Sequence, residues 1–154
     1  MSYSIWNDIS GIGQNIARGI TPTASGWDTP PSDLQKATDG DITTSTGTGS
    51  TTTSGSGELG FITINPGKPT LVLTKVGFWS TGERIEVYYD ASQDGSTWYR
   101  LYDLAATKSS TTEHIPPMLC VFCPFQYFRM LFYITAAGTG YVKIYEIIAL
   151  EVIP

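Results

Sequence analysis

Apolar and polar residues alternate with a period of two along much of the chain after residue 58, the pattern of strands with one buried face. Turn residues such as Asn65-Pro66-Gly67 and Gln93-Asp94-Gly95-Ser96 separate the alternating runs. The runs are 61–65, 70–79, 84–90, 97–102, 126–133 and 140–152. About seven or eight short strands with no helix between them predict an all-β fold, an antiparallel β-sandwich or jelly roll.

A different periodicity occurs near the start of the chain, where isoleucines are spaced by three or four residues. They are Ile5, Ile9, Ile12, Ile16 and Ile20. On a helix these side chains would share one face, so the spacing predicts a short helical arm with an apolar stripe. Three glycines would make an isolated helix marginal, and we expect the stripe to bind a neighbouring subunit. The predicted units are an arm, 1–23, and a sandwich domain, 24–154.

The segment between the arm and the strands is rich in Pro, Ser, Thr and Gly. Residues 43–57 consist almost entirely of Thr, Ser and Gly, a composition that predicts a loop or a flexible linker. If such a tract is ordered, we expect it to pack against the domain or against a neighbour.

Charge and hydropathy restrict the partners. Nine Lys and Arg against fourteen Asp and Glu give a net charge of -5, the wrong sign for neutralising nucleic-acid phosphates. No run approaches the roughly 20 apolar residues of a membrane helix. The first residues lack the basic start and apolar run of a secretory signal. We therefore expect a soluble chain without Sec targeting, which binds neither nucleic acid nor a membrane interior.

Residues that often carry catalysis or bind metals are few. Cys120 and Cys123 stand in an apolar run, and a zinc site would need a second ligand pair that this sequence does not offer. Two buried thiols are the expected outcome. The only histidine, His114, follows Glu113, but no nucleophile elbow, phosphate loop or paired metal motif accompanies them. The sequence therefore predicts a protein that is not an enzyme.

Several segments form a recognisable series. Residues 32–44 contain Ala-Thr-Asp-Gly-Asp-Ile-Thr-Thr, residues 61–70 are a strand followed by Gly-Lys-Pro, and residues 88–98 end in Ser-Gln-Asp-Gly-Ser-Thr-Trp. Together with the strands at 125–130 and 145–152, this order resembles the discoidin, or coagulation factor 5/8 type C, family. The resemblance runs from about residue 24 to 153. It implies a galactose-binding-like β-sandwich.

The Asp-Gly-Asp turn is a candidate metal site. Asp39, Asp41 and Thr43 place several hard oxygens around a tight turn, as in many Ca²⁺ sites. The resemblance implies that Glu146 completes the site, because in sugar-binding relatives the matching loop and the Glu of the last strand hold a structural calcium. Structural Ca²⁺ is thus the cofactor that we consider. The alternative is an Asx turn, in which the Asp39 side chain caps its own backbone.

Aromatic and charged residues near the predicted loops are candidates for ligand binding. Trp27, followed by Asp28 in a polar loop, and Trp79 could each stack on the C–H face of a sugar. Packing in the core is the alternative for both rings. Arg84 could bind an anionic ligand, although an ion pair with a neighbouring Glu explains it equally well.

Two functions of different classes fit these features. The first is a non-catalytic surface component of a phage or virus particle, as capsid decoration, spike or tail, because a fold usual outside cells occurs without a secretion signal. Its partners would be other protein subunits, in a homo-oligomer or a particle shell, and in addition glycans. The alternative is a free carbohydrate-binding or cell-adhesion module. Both predict a location on a virion or an extracellular surface.

Overall fold

The computed structural model describes residues 12–81, 84–105 and 110–152. Within these ranges the fold has eleven β-strands and one short 3-10 helix, Leu34–Thr38, so the all-β prediction is confirmed. No helix in the described ranges is long and apolar enough to cross a lipid bilayer. Ile5 and Ile9 of the predicted arm lie outside the described residues.

The strands follow the alternation and the turn residues of the sequence. They are β1 Ile12–Asn15, β2 Thr23–Ser25, β3 Gly49–Thr53, β4 Gly57–Ile64, β5 Thr70–Ser80, β6 Ile85–Ser92, β7 Tyr99–Ala105, β8 Ser110–His114, β9 Leu119–Cys123, β10 Tyr127–Ile134 and β11 Gly138–Val152. Every predicted run forms a strand. The hairpin turn between β6 and β7 forms as predicted, with the Asp94 carboxylate accepting from the amides of Ser96 and Thr97 at 2.8 and 2.9 Å.

Two antiparallel sheets form the sandwich. The first sheet is centred on β11 and β5, which pair along most of their length. On one side β1 and β3 pair with β11, and on the other side β8 and β9 pair with β5. The second sheet has the order β2-β4-β10-β6-β7. This arrangement is the antiparallel β-sandwich that the sequence predicted.

The core lies between the inner faces of the two sheets. On β5 the side chains of Val72 and Val76 are buried, whereas Lys75 on the opposite face is half-exposed. The second sheet contributes Phe128 and Phe132 of β10 to the same core. Burying each such side chain stabilises the fold by roughly 1.5–3 kcal/mol, which makes the inner-face residues the main source of stability.

The prediction of a helix near the start of the chain is wrong for the residues that the structure describes. Ile12–Asn15 is a strand paired with β11, and a turn follows it. The backbone amides of Ala17 and Ala149 both donate to the Asn15 side-chain oxygen, at 3.1 and 3.0 Å. The physical reason is that the edge of β11 offers strand pairing to a glycine-rich segment with little helix propensity. The boundary at residue 23 stays a prediction.

The isoleucine stripe is also absent from the described part of the arm. Because residues 12–20 are not helical, Ile12, Ile16 and Ile20 do not share a helical face. Ile16 is half-buried and packs against the core, and Ile20 is half-buried beyond the turn. A role of these isoleucines in assembly stays a prediction.

The Ser/Thr/Gly tract contains a strand where a loop was expected. β3 pairs with residues 138–142 of β11. Just before it, the amide of Thr46 donates to the Ile144 carbonyl at 2.9 Å, and the Thr46 hydroxyl accepts from the Ile144 amide at 3.0 Å. Threonine fits a pleated surface well, so an available strand edge orders this part of the tract.

The two cysteines differ from the expected pair of buried thiols. Cys123 is buried, as predicted, and burial raises the pKa of its thiol. Cys120 is exposed, so the prediction is wrong for that residue. Residues three apart on a strand point to opposite faces, which places one thiol inside and the other outside.

Candidate functional site

Trp27 is a core residue, which is the alternative that the sequence left open for this ring. Its side chain is 9% exposed, and its indole N–H donates to the Phe61 carbonyl at 3.1 Å. The ring centroid lies 5.8 Å from that of Phe132. Only glycine fits beneath the indole at position 60, where a Cβ atom would lie 2.3 Å from the ring. The ring therefore has no free face for a sugar.

Asp28 and Arg84, the predicted polar ligand residues, have local partners. The Asp28 carboxylate accepts from the Thr52 amide at 2.9 Å, and this contact ties the loop after β2 to β3. Arg84 is exposed and lies 3.9 Å from the Glu86 carboxylate, the ion pair that the sequence offered as the alternative. Their role in ligand binding stays a prediction.

Trp79 lies on the outer face of the first sheet and is paired with a second aromatic ring. Its cross-strand partner on β11 is Tyr141, and the two rings stack with centroids 5.2 Å apart and an interplanar angle of 9°. Both side chains are half-buried. The sheet therefore presents two parallel rings, held in place by each other, at its surface.

Polar groups surround the stacked pair. The Lys143 ammonium lies 6.0 Å from the centroid of the Trp79 ring. On the other side of the pair, the hydroxyls of Thr52 and Thr139 lie 2.8 Å apart, on neighbouring strands β3 and β11. The Ser/Thr tract thus brings hydroxyl groups to the same face as the aromatic rings.

A carboxylate lies on this face in a notch that a glycine leaves open. A Cβ atom at Gly77 would lie 2.2 Å from a carboxylate oxygen of Glu113, so only glycine leaves room for that group. Gly77 is the cross-strand partner of Lys143. The Tyr145 hydroxyl donates to the Glu113 carboxylate at 2.9 and 3.0 Å, and burial together with Glu113 raises the pKa of Tyr145 to about 12.

We call this surface the aromatic face: Trp79, Tyr141, Lys143, Glu113 and Tyr145. The sequence identified only Trp79 among them. The β11 residues of this face could have been found from their alternation at positions 141, 143 and 145. Once β11 is aligned with β5, this alternation places all three side chains on the outer face. The alignment itself comes from tertiary pairing, which the sequence does not display.

The Asp-Gly-Asp loop forms the Asx turns that were the alternative to a metal site. The Asp39 carboxylate accepts from the Asp41 amide at 2.8 Å and from the Thr44 hydroxyl at 2.7 Å. The Asp41 carboxylate accepts from the Thr43 amide and hydroxyl at 2.9 and 2.6 Å, and the hydroxyl bond is the main cause of its lowered pKa. The Lys75 ammonium binds the Ile42 carbonyl at 3.0 Å and holds the loop on the sheet.

Glu146, by contrast, is a buried carboxylate without a partner. Glu146 is 1% exposed, and neither of its carboxylate oxygens has a hydrogen-bond partner. Burial is the main cause that raises its pKa to about 7, and the charge of Asp39 adds to it. The nearby Gly40 amide and the positive charge of Arg18 lower the pKa of Glu146. The Gly40 amide does not form a hydrogen bond with the carboxylate.

An orphaned buried carboxylate beside acidic residues fits a hard cation, since the cation would satisfy both oxygens and offset the charge. No cluster of three His, Cys, Asp or Glu side chains suited to a metal occurs among the described residues. A calcium ion at Glu146 would therefore take further ligands from backbone carbonyls or hydroxyls. Of the four predicted ligands, Asp39, Asp41 and Thr43 are hydrogen-bonded within their own loop, and only Glu146 lacks an internal partner.

The only histidine in the sequence, His114, packs against an aromatic ring. His114 is exposed and lies edge-on to Phe78, with centroids 5.4 Å apart. The adjacent Glu113 binds Tyr145 instead of the imidazole. Glu113 and His114, which are neighbours in the sequence, therefore contact different residues.

Neither a protein-family model nor a curated protein sequence matches the chain. Among solved structures, a point mutant of chitosan-binding module 1 from a chitosanase/glucanase of Paenibacillus sp. IK-5 is 19% identical, with a TM-score of 0.49 over 90% of this chain and 98% of that one. CBM32-3 from a family 31 glycoside hydrolase of Clostridium perfringens is 15% identical, with a TM-score of 0.49 over 97% and 99%. The CBM32 of AlyQ, in complex with 4,5-unsaturated mannuronic acid, is 18% identical, with a TM-score of 0.44 over 86% and 95%. Each of the three alignments covers at least 86% of this chain.

Proposed function

We propose that this protein is a non-catalytic carbohydrate-binding module and that the aromatic face is its glycan site. The observation that carries the proposal is the stacked pair of Trp79 and Tyr141 on the outer face of the first sheet. Aromatic rings offer flat apolar area to the C–H faces of pyranose rings. Because the pair is already stacked, little side-chain entropy is lost when a sugar binds.

The polar groups of the face supply the hydrogen bonds that a sugar requires. The Glu113 carboxylate accepts from sugar hydroxyls, and the Lys143 ammonium donates to them. Thr52 and Thr139 supply hydroxyls at the other end of the rings. Donors and acceptors thus flank the aromatic pair on both sides, which suits an extended saccharide lying across β5 and β11.

Calcium has a supporting role in this proposal. The cation would be held by Glu146, with the Asp39–Thr43 loop above it, and would fix that loop on β11. It would contribute to stability, since no step of sugar binding on the aromatic face needs it. The buried, unpartnered oxygens of Glu146 support this part of the proposal.

The first of the two sequence-based functions, a particle surface component, stays a prediction. The described geometry favours the alternative, because the aromatic face is suited to a saccharide without reference to any particle. A glycan-binding module can also be carried by a particle, so the two functions are compatible.

Affinity electrophoresis through gels that contain defined polysaccharides tests the proposal, followed by calorimetry with oligosaccharides of the polymer that retards the protein. Trp79→Ala and Tyr141→Ala should each weaken binding at least ten-fold, about 1.4 kcal/mol. Tyr133→Ala is the matched control, because Tyr133 is a half-buried tyrosine on the second sheet that packs against Tyr88. Binding that survives both substitutions, or no retardation by any polysaccharide, would overturn the proposal.

A further inference from the structure

Exposed apolar side chains are concentrated on one lateral edge of the sandwich. Six large apolar side chains are exposed among the described residues, and five of them lie on β7, on β9 or on the segment that joins β8 to β9. These five are Tyr99 (55%), Tyr102 (39%), Ile115 (41%), Met118 (39%) and Phe122 (50%). β7 ends the second sheet, β8 and β9 end the first, and β7 contacts β9, so the five side chains belong to the same edge.

The backbone of β7 has a free side along this edge. β7 pairs with β6, and no second strand pairs with it among the described residues. Exposed edge strands are commonly protected by charged side chains, by proline or by a β-bulge, since their free N–H and C=O groups bind other strands. β7 carries one base and one acid, Arg100 and Asp103, on either side of the exposed Tyr102, and a bulge at Leu101 interrupts its pairing with β6. Because the two charges have opposite signs, they can attract a second copy of β7.

The charges of β7 are self-complementary. When two copies of β7 pair antiparallel about a two-fold axis between residues 101 and 102, Arg100 of each copy lies opposite Asp103 of the other. Although they are three residues apart, the bulge at Leu101 puts both on the outer face of the second sheet, where a contact of 3.7 Å already joins them within the chain. Each dimer would thus gain two symmetry-related ion pairs.

Arg100 is held in position for this contact. Its guanidinium binds the buried Asp90 carboxylate at 2.8 Å and lies 4.1 Å from the centroid of the Tyr88 ring. Asp103 has a side chain that is 62% exposed, so its carboxylate is available to a second copy. Because the guanidinium is already held in position, it loses little side-chain entropy on association.

We propose that the protein forms a two-fold dimer through β7, which joins the second sheets of two copies into one continuous sheet. We assign a second copy of this chain to the edge, because a two-fold contact uses the same surface on both copies. That surface must complement itself, and the opposite charges of β7 satisfy this requirement. The same symmetry brings the apolar side chains of the β8–β9 edge of the first sheets toward one another. The contact would shelter apolar area on both sheets.

Sedimentation equilibrium of the full chain over a range of concentrations measures the association. The wild-type protein should be a dimer, and Asp103→Arg should be monomeric because it places Arg opposite Arg. Glu58→Arg is the control, an identical charge reversal at an exposed residue of β4. Melting temperatures identify any loss of fold, and Tyr102→Ser gives a second variant that should weaken the dimer without changing charge. A wild-type monomer at every concentration would overturn the proposal, as would an Asp103→Arg variant that dimerises normally.

Hydrogen exchange of the wild-type protein tests the location. Amides of β7 should become protected as concentration rises, whereas those of β2, the opposite edge of the same sheet, should not. Protection at β2 alone, or a dimer without added protection at β7, would contradict the proposed contact. The outcome is independent of sugar binding, so it separates this inference from the proposed function.

Discussion

Glu146 makes the stability of the fold dependent on pH, because its carboxylate is buried without a hydrogen-bond donor. An ionised carboxylate in that position is unfavourable, and burial with the charge of Asp39 raises the pKa of Glu146 from 4.5 to about 7. A cation favours the ionised form and acts in the opposite direction. The proposed calcium ion would therefore change the protonation state of Glu146.

With a chelator present, stability should fall as pH rises from about 4.5 to about 7. In that window the folded protein holds a proton on Glu146 that the unfolded chain has released, so the folded state loses relative stability as protons become scarce. The shift corresponds to roughly 3 kcal/mol. Urea unfolding at a series of pH values measures the free energy of unfolding.

Calcium should restore the lost stability above pH 7, since a ligand bound only by the folded state stabilises it. Glu146→Gln should abolish both the pH dependence in this window and the response to calcium. Glu58→Gln, at an exposed position, is the control and should behave as the wild type. Identical unfolding curves in calcium and in chelator would remove calcium from the account of this loop.

β1 belongs to the sandwich, and Asn15 is the residue that fastens its end. The Asn15 oxygen accepts from two backbone amides, Ala17 in the turn and Ala149 on β11. Asn15→Ala would leave both amides without that acceptor and should destabilise the fold by about 1–3 kcal/mol. Gln14→Ala, at the exposed neighbouring position, should be nearly neutral. Urea unfolding measures both, and an equal effect of the two substitutions would show that Asn15 does not fasten the strand.

Strands bounded by strong turn residues were predictable from the sequence, and strands that depend on a partner were not. The hairpin of β6 and β7 was predicted because Asp94 and Gly95 form its turn locally. β1 and β3 were missed because their sequences favour a helix and a loop, and they become strands only where β11 offers an edge. Tertiary pairing therefore overrides local preference at both sites.

The candidate site shows the same division. Trp79 was identified as a residue type suited to sugars, but Trp27 looked equally suitable, and only the glycine at position 60 beneath its ring explains why it is buried. Tyr141 and Glu113 reach the site through the pairing of three strands. Residue chemistry can be read from the sequence, whereas convergence on one face depends on register.

The proposed dimer orients its two glycan sites in one direction. Residues directly opposite in an antiparallel pair point to the same side of the sheet, so the two-fold axis through the β7 contact is perpendicular to the joined sheet. Both first sheets then lie on the same side of it. The two aromatic faces, which are the outer faces of the first sheets, look the same way and can reach one glycan surface together.

Binding to a polymer should therefore be stronger than binding to a short saccharide, because the second contact becomes intramolecular, which can add a factor of about 10²–10⁴. Asp103→Arg should weaken retention on the polysaccharide identified with the Trp79 and Tyr141 variants by ten-fold or more. The same substitution should leave calorimetric affinity for an oligosaccharide of that polymer unchanged, since residue 103 is on the other sheet from the aromatic face. Glu58→Arg should change neither measurement. Equal weakening toward polymer and oligosaccharide would show that Asp103 acts on the glycan site itself, and unchanged retention on the polymer would show that the two faces do not bind together.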